Sequence, residues 1–239
     1  ETLQIPMFGL YGACSTSGEA LALASMSVAA GYGERMLAVT SSHFGSAEKE
    51  FRFPLGYANQ RPLSAHWTVT GSGAFIVGKN RSHVRITGVT VGKIVDYGLK
   101  DSQNMGACMA PAACDTIIQN LEDFERKETD YDRIITGDLG YVGQSILFDL
   151  MRGKEHDIKI NHMDCGMTIF DQNLQDTHAG GSGCGCAAAT LSAYILPKIS
   201  RGEWKRVLFV PTGALMSTVS YNEGASVPGI AHGIVLEHC

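Results

Sequence analysis

Alternating strand and helix patterns in residues 7–40 constrain the fold more than any other feature of this chain. Met7 to Tyr11 is short and apolar and predicts a buried strand. Ser15 or Thr16 can cap the apolar helix that follows. Residues 35–40 then form a second apolar strand. Together these segments predict a βαβ unit with a buried parallel sheet, and therefore an α/β protein.

The rest of the chain continues this mixture of strands and helices. Residues 42–66 are polar and aromatic and predict a long surface loop or lid. Two strands joined by a turn are predicted over residues 68–77 and 84–95. Further helices are predicted over 111–120, 146–152 and 187–199, and further strands over 131–136, 206–212 and 230–237.

A single compact α/β domain over residues 1–239 is the predicted organisation. No linker rich in Pro, Gly or Ser divides the chain, and two halves, 1–95 and 96–239, are compatible with an old duplication. The chain starts without Met and enters an apolar segment almost at once, so we expect an N-terminal portion to be missing.

Composition excludes several classes of protein. Apolar residues make up 44% of the chain and charged residues 18%, which supports a sizeable core and argues against disorder. A net charge of −5 does not favour nucleic acid as a partner. The seven cysteines form no C-x-x-C pair, which argues against a disulfide framework and for a reducing compartment. No apolar run is long enough to span a bilayer, and no signal peptide is visible.

Cys14 lies between a glycine and a Ser-Thr-Ser cluster, where a helix should begin. Unpaired N–H groups and the positive end of the helix dipole favour a thiolate there, which is the setting of a nucleophilic cysteine. The alternative is that Cys14 is a small buried apolar residue.

A glycine-rich run, AGGSGCGC (179–186), precedes another predicted helix. The N–H groups around Ser182 could hold a carboxylate or phosphate. The alternative is close packing of the helix on a sheet, and the spacing matches neither nucleotide-binding glycine motif.

Polar residues also follow predicted strands. Ser42 and His43 follow the strand that ends at Thr40, and Asp138 follows the strand that ends at Thr136. The ends of parallel strands face the ligand crevice in α/β folds, although loop residues of this kind are often merely solvated.

Charged side chains in the predicted lid could steer an anion, although such charges usually form a solvated face. These are Lys49, Arg52 and Arg61. A metal site is not favoured. Six potential metal ligands lie close together in the sequence, but hardly any of them have the two-to-four-residue spacing that is typical of paired zinc ligands. That set is His162, Asp164, Cys165, His178, Cys184 and Cys186.

A series of motifs resembles, in order, the stage V sporulation protein AD family of endospore-forming bacteria. The motifs are GACSTSGEA, TSSHFGSAEKEFRFP, PLSAHWTVTGSGA, MAPAACDTI, DYDRIITGDL, AGGSGCGCAA and VPGIAHGIVLE. The resemblance covers essentially the whole chain. It implies a thiolase-like layered α/β/α/β/α fold with mixed sheets, lacking the early strands and helices of the first half.

The resemblance also implies which residues of the related condensing enzymes have changed. Cys14 matches their nucleophile, whereas Gly137 stands at the histidine of D-x-D-x-x-x-P-H-Q and Gly181 at the asparagine of G-N-T-x-x-A. Both lost side chains donate hydrogen bonds to an oxyanion, and losing one such donor typically costs about 10²–10³ in rate. The two glycines are also expected to leave space beside Cys14 for a small flat ligand. Thiolases are expected to carry a G-H-P histidine and a late C-G-G-G cysteine, but the glycine-rich run here has no G-H-P and the late segment, residues 229–233 with His232, reads GIAHG.

The implied function is non-catalytic binding of dipicolinic acid, with or without calcium. The protein would be a subunit of the machinery that moves dipicolinate into the developing spore, attached peripherally to the inner spore membrane through membrane-embedded partners. No cofactor or metal is implied, and a homodimer is left open. The expected ligand-binding residues are Cys14, Ser15, Ser42, His43, Asp138, Gly181, Ser182 and His232. The alternative is a cysteine-dependent acyl transferase of the β-ketoacyl synthase type.

Overall fold

The computed structural model describes residues 4–50, 52 and 60–239 of the chain. The helices are α1 (Thr16–Ala29), α2 (Phe44–Glu50), α3 (Met105–Asp123), α4 (Gly140–Arg152), α5 (Cys165–Thr168), α6 (Gln172–Gln175), α7 (Cys184–Thr190), α8 (Leu196–Ser200) and α9 (Thr218–Asn222). A π-helical turn over Leu191–Ile195 joins α7 to α8.

The strands follow in the same chain order. They are β1 (Arg35–Ser42), β2 (His66–Thr68), β3 (Gly71–Gly78), β4 (Val84–Thr90), β5 (Arg133–Thr136), β6 (His162–Asp164), β7 (Gly180–Ser182), β8 (Arg206–Val210), β9 (Thr212–Ala214), β10 (Gly229–Ala231) and β11 (Gly233–His238).

A five-stranded mixed sheet with strand order β4-β11-β8-β5-β6 forms the centre of the molecule. Strands β8, β5 and β6 run parallel, while β11 runs antiparallel to both of its neighbours. Alternate residues of β5 face opposite sides: Ile134 packs with α3 and α4, and Ile135 packs with α1, α7 and α8. Because both faces are covered, the central strands are near-continuous apolar runs, as in RVLFV of β8.

A second, two-stranded sheet lies on the far side of α1 and α7. Strands β1 and β3 pair antiparallel, and their inner face, with Ala38 and Gly73 buried, packs on these helices. The outer face carries Leu37, Val39 and Ile76, whose exposed fractions are 48%, 53% and 75%. The layers are therefore helices, sheet, helices and sheet in that order.

The strand expected over Met7–Tyr11 is absent, so the prediction of a parallel βαβ unit in residues 7–40 is wrong. The segment forms no ladder, and Met7 and Phe8 are 89% and 93% exposed. An apolar run becomes a strand only when a neighbouring strand takes up its backbone hydrogen bonds, and the described residues provide none here. The strand after α1 pairs antiparallel with β3 instead.

Two further local predictions also differ from the structure. Helix α2 lies inside residues 42–66, which were expected to form a loop; residues 51 and 53–59 of that stretch are outside the described part. The two strands that were predicted to be joined by a turn, over residues 68–77 and 84–95, correspond to β3 and β4. These strands follow one another in the chain but belong to different sheets. The predicted helices at 111–120, 146–152 and 187–199 lie within α3, within α4 and within the helical stretch from α7 to α8.

Two segments of the chain share the same order of helices and strands, and the helices that open them, α1 and α7, begin close to each other. Helix α1 leads into β1, which pairs antiparallel with β3, and α7 and α8 lead into β8, which pairs antiparallel with β11.

The division into halves at residue 95 stays a prediction. Among the described residues, no helix has both the length and the apolar character required to cross a bilayer.

Candidate functional site

Cys14 sits on a tight turn just before α1. Ala13 adopts a left-handed backbone conformation with φ +51°, which is uncommon for a residue other than glycine. Ser15 closes the turn, since its Oγ donates to Gly12 O at 2.6 Å. Gly213 of β9 packs beneath it, and a Cβ at that position would lie 2.4 Å from Gly12 O. The turn therefore depends on glycine at a position 199 residues away in the sequence.

Ser182 connects Cys14 to a buried carboxylate. Its Oγ lies 3.7 Å from Cys14 Sγ and 2.7 Å from Asp138 Oδ2. The ionised carboxylate accepts hydrogen bonds only, so Ser182 gives it the hydroxyl proton and can only accept from Cys14. The thiol is thus the donor at the end of a chain from Cys14 through Ser182 to Asp138.

Asp138 is fixed by further donors from two elements. Gly183 N donates to its Oδ2 at 2.9 Å, and Thr212 Oγ1 donates to its Oδ1 at 2.9 Å. A second buried carboxylate, Asp164, accepts from Thr136 Oγ1 at 2.6 Å and from the backbone at Leu139, Gly140 and Met167. Burial raises the pKa of Asp164 to about 6, and the charge of Asp138 adds to that shift.

The surroundings of Cys14 favour the neutral thiol. Burial raises its pKa well above the usual value, and the negative charge of Asp138 raises it further. Arg52 acts in the opposite direction but is a smaller influence. Of the two alternatives for Cys14, the surroundings favour the small apolar residue over the thiolate, because burial and a carboxylate outweigh the dipole of a helix that begins two residues later.

A cavity of about 640 Å³ opens in front of Cys14. Its wall combines apolar side chains with neutral hydroxyl groups, and Arg52 is the charged side chain on the described part of the wall. The residues around it are Leu10, Tyr11, Ala13, Cys14, Thr16, Val39, Thr40, Ser41, Ser42, Ala47, Arg52, Thr68, Ser102, Gln103, Met105, Gly183, Cys184, Ala214, Met216, Ser217, Thr218, Ser220, Tyr221, Ala225, Ser226 and Val227.

The structure brings only some of the expected ligand-binding residues to this cavity. Cys14 and Ser42 line it; Ser42 Oγ donates to Val69 O at 2.7 Å and accepts from Gly185 N at 3.1 Å. Ser182 and Asp138 lie buried directly behind Cys14.

The other expected residues lie elsewhere. Ser15 is fully buried and tied to its own turn. His43 is exposed on a shallow depression outside the cavity. His232 is buried and accepts from Gly92 N at 3.2 Å through Nδ1, away from the cavity wall.

The two glycines at the condensing-enzyme positions do not open space beside Cys14. A Cβ on Gly181 would meet Ile169, Val69 and Phe170, and one on Gly137 would meet the backbone of Pro211 and Thr212. Neither glycine lines the cavity. The expectation of a ligand slot at these glycines is wrong, because the groups that face the thiol come from the residues that follow them, Asp138 and Ser182.

Sequence reasoning missed Glu48, Thr68, His66 and Thr212. His66 is fully buried, donates through Nε2 to Leu139 O at 3.1 Å, and has a pKa lowered to about 4 by burial. Thr212 follows β8 just as Asp138 follows β5, so the strand-end rule already applied to Asp138 also points to Thr212.

In the described part of the chain, no three His, Cys, Asp or Glu side chains come together to hold a metal ion. Of the sequence candidates, Asp164 is saturated by backbone and hydroxyl donors. Burial lowers the pKa of His162 to about 3.

Comparison with known proteins gives one family and one curated relative. The family model described as stage V sporulation protein AD matches residues 1–237. Stage V sporulation protein AD of Bacillus subtilis (strain 168) is 44% identical over 235 residues, which cover 98% of this chain and 69% of the relative.

Solved structures with the same fold include condensing enzymes and a thiolase. The tetronic acid condensing enzyme AbyA1 superposes with a TM-score of 0.60 at 14% identity, covering 95% of this chain and 67% of that protein. The 3-oxoacyl-[acyl-carrier-protein] synthase III from Aquifex aeolicus VF5 gives 0.59 at 13%, covering 99% and 68%. The Acat5 thiolase from Ascaris suum gives 0.57 at 9%, covering 96% and 78%. The fold is thiolase-like, as predicted.

Proposed function

The chain belongs to the stage V sporulation protein AD family, and from that premise we propose that it binds dipicolinic acid in the cavity at Cys14 without catalysing a reaction. Membership of the family establishes a sporulation protein. The ligand, its transport and the absence of catalysis are the parts that we propose.

The observation that carries the binding proposal is the cavity itself. Dipicolinate is a flat pyridine ring with two carboxylates, so it needs apolar walls for the ring and N–H, O–H or cationic donors for the oxygens. Val39, Ala214 and Met216 supply apolar wall, Ser41 and Ser217 supply hydroxyl groups, and Arg52 supplies a positive charge.

The absence of catalysis is supported by the groups behind Cys14. An acyl-transfer enzyme needs a thiolate and donors for the oxyanion that forms on the substrate. Here the Ser182 hydroxyl donates its hydrogen bond to Asp138, and the Asp138 carboxylate disfavours any negative charge near the sulfur. Its field would destabilise the thiolate and the oxyanion alike.

The wider role that we propose is the one implied by membership of the stage V sporulation protein AD family. We place the protein in the spore, as a subunit that hands dipicolinate, with or without calcium, to membrane-embedded sporulation proteins at the inner spore membrane. A homodimer is compatible with this role, which requires no nucleic acid.

Isothermal titration with dipicolinate tests this function. We expect saturable binding by the wild-type protein and weaker binding by the Cys14→Ala/Ser182→Ala variant, which changes the floor of the cavity. Ser192→Ala, on an exposed helical position, serves as the control. Absence of binding by the wild type, or unchanged affinity in the double variant, would contradict the proposed site.

An acyl transferase is the second candidate, because Cys14 stands on a left-handed turn at a cavity in a fold shared with condensing enzymes. This function predicts that Cys14 displaces the thiol of an acyl-CoA and retains the acyl group. Intact-protein mass spectrometry after incubation with acetyl-CoA would detect the adduct. We expect none, and an adduct lost in Cys14→Ala would favour the enzyme.

A further inference from the structure

Arg52 is a buried cation at the wall of the cavity. Its side chain is 7% exposed, although it lies within residues 42–66, which the sequence assigns to a surface loop. Taking a guanidinium out of water is costly unless partners compensate, so a buried arginine at a cavity wall needs an explanation.

Two residues hold the guanidinium in place from one side. Nη1 lies 3.4 Å from Glu48 Oε1 and donates to Thr68 Oγ1. Glu48 is itself fully buried, and its Oε1 accepts from Thr68 N at 2.7 Å. Helix α2 and strand β2 thus fix both the position and the orientation of Arg52.

The other side of the guanidinium is poorly satisfied by the described residues. Nη2 donates to the thioether of Met105 at 3.5 Å, and a thioether is a weak acceptor. A guanidinium has five N–H donors arranged as a fork that matches a carboxylate. Arg52 therefore has donor capacity left beside a cavity whose other described lining side chains are neutral.

We propose that Arg52 is the specificity-determining residue of this cavity and binds one carboxylate of an aromatic carboxylic acid, with Glu48 and Thr68 as positioning residues. This inference deepens the proposed function and rests on it for the ring and the cavity. Because Arg52 supplies a single charged contact, the remaining polar atoms of the ligand meet hydroxyl groups, such as those of Ser41 and Ser217, rather than a second cation.

A cycle that changes both partners of the contact tests the proposal. The ligands are dipicolinate, benzoate and the uncharged dipicolinamide, and the proteins are the wild type and Arg52→Met. A charge-assisted contact of this kind is worth about 10- to 150-fold in affinity. We expect the wild type to prefer dipicolinate to dipicolinamide by such a factor, and Arg52→Met to lose that preference.

Three further variants separate recognition from folding. Arg52→Lys keeps the charge but not the fork, so we expect intermediate affinity. Glu48→Gln removes the positioning charge and should weaken dipicolinate more than dipicolinamide. Arg61→Met, at an arginine that stacks on Trp67 and does not line the cavity, should bind like the wild type. Thermal unfolding with each ligand checks that every variant is folded.

The outcomes distinguish this inference from the proposed function. If the wild type binds dipicolinate and dipicolinamide equally, or if Arg52→Met keeps the preference, the role of Arg52 is overturned while dipicolinate binding stands. If the wild type binds benzoate in an Arg52-dependent way but not dipicolinate, the inference stands and the proposed function falls. Binding of none of the three ligands overturns both.

Discussion

Ser182 donates a hydrogen bond to Asp138 over 2.7 Å, and the direction of this hydrogen bond determines whether the neighbouring Cys14 is stabilised as a thiol or as a thiolate. A serine whose proton is committed to a carboxylate offers the sulfur only a lone pair. Cys14 accordingly keeps its own proton, and the chain of hydrogen bonds ends on a negative charge. The arrangement stabilises the thiol, whereas a histidine partner would have stabilised the thiolate.

Asp138→Asn should make Cys14 more reactive toward iodoacetamide. The substitution removes a negative charge that raises the pKa of the thiol, so the thiolate fraction at pH 7.5 increases. The thiolate fraction should rise roughly tenfold for each unit by which the pKa falls, and the alkylation rate should rise by a smaller factor, because a less basic thiolate is a weaker nucleophile. Peptide mapping by mass spectrometry reads out Cys14, and the exposed Cys239 is the internal reference. An unchanged ratio of the two rates would mean that Asp138 does not control the thiol.

Gly213→Ala should disturb the Cys14 turn. The new Cβ would lie 2.4 Å from Gly12 O and 3.0 Å from Ser15 N, so the backbone has to move. We expect a loss of about 1–3 kcal/mol in the free energy of unfolding, measured by urea denaturation, with weaker ligand binding. Gly9→Ala is the matched control, because nothing lies within 4 Å of its Cβ position. Equal stability of the two variants would argue against this packing.

His162 should contribute to acid lability. Its Nε2 donates to Thr136 Oγ1, whose own proton goes to Asp164, and its Nδ1 accepts from Gln144. Burial lowers the pKa of His162 to about 3. The unfolded chain therefore binds a proton at this histidine near pH 6.5, whereas the folded chain binds it only near pH 3. The stabilisation is therefore present above pH 6.5 and is lost as the pH falls toward 3.

The pH dependence can be isolated by comparison of variants. Each unit of depression of the His162 pKa corresponds to about 1.4 kcal/mol. His162→Gln should flatten the fall in unfolding free energy between pH 6.5 and 4, whereas His83→Gln, at an exposed position, should not. Asp164 acts in the opposite sense, since its raised pKa means that its stabilising contribution is lost as the pH rises from about 4 to about 6. A slope that stays the same in His162→Gln would refute the assignment.

The Glu48–Arg52 pair should show strong coupling. Glu48→Leu leaves the arginine without its buried counter-charge, which typically costs about 3–5 kcal/mol. Glu48→Leu/Arg52→Met removes both charges and should cost less than the single change at Glu48. Urea denaturation of the two single variants and the double variant gives the coupling free energy. Simple additivity would show that the two charges do not compensate each other.

The sequence allowed the longer helices, four strands of the central sheet and part of the candidate site to be predicted, whereas α2, α5, α6, α9 and β6 were missed. Cys14 and Asp138 were found because helix starts and strand ends are local patterns. Arg52 was only one of several charged residues in an expected loop, since its burial depends on contacts with Thr68 and Met105 that no local pattern encodes.

Two predictions failed because each depends on the tertiary structure and not on the local sequence. Met7 to Tyr11 has the composition of a strand, but strand formation depends on a neighbour that composition does not reveal. Gly137 and Gly181 were placed by motif alignment beside the cysteine. A shift of one residue changes which side chain faces a site, and the structure turns Asp138 and Ser182 toward it.

The contact between Cys14 and Ser182 joins residues 168 positions apart. Closing so long a loop is slow compared with forming local helices, so contacts of this kind belong to the late, high-contact-order part of folding. The floor of the cavity therefore exists only once α1 and α7 have docked side by side. In a refolding experiment, recovery of ligand binding should lag behind recovery of helical circular dichroism, which makes the ligand a reporter of completed assembly.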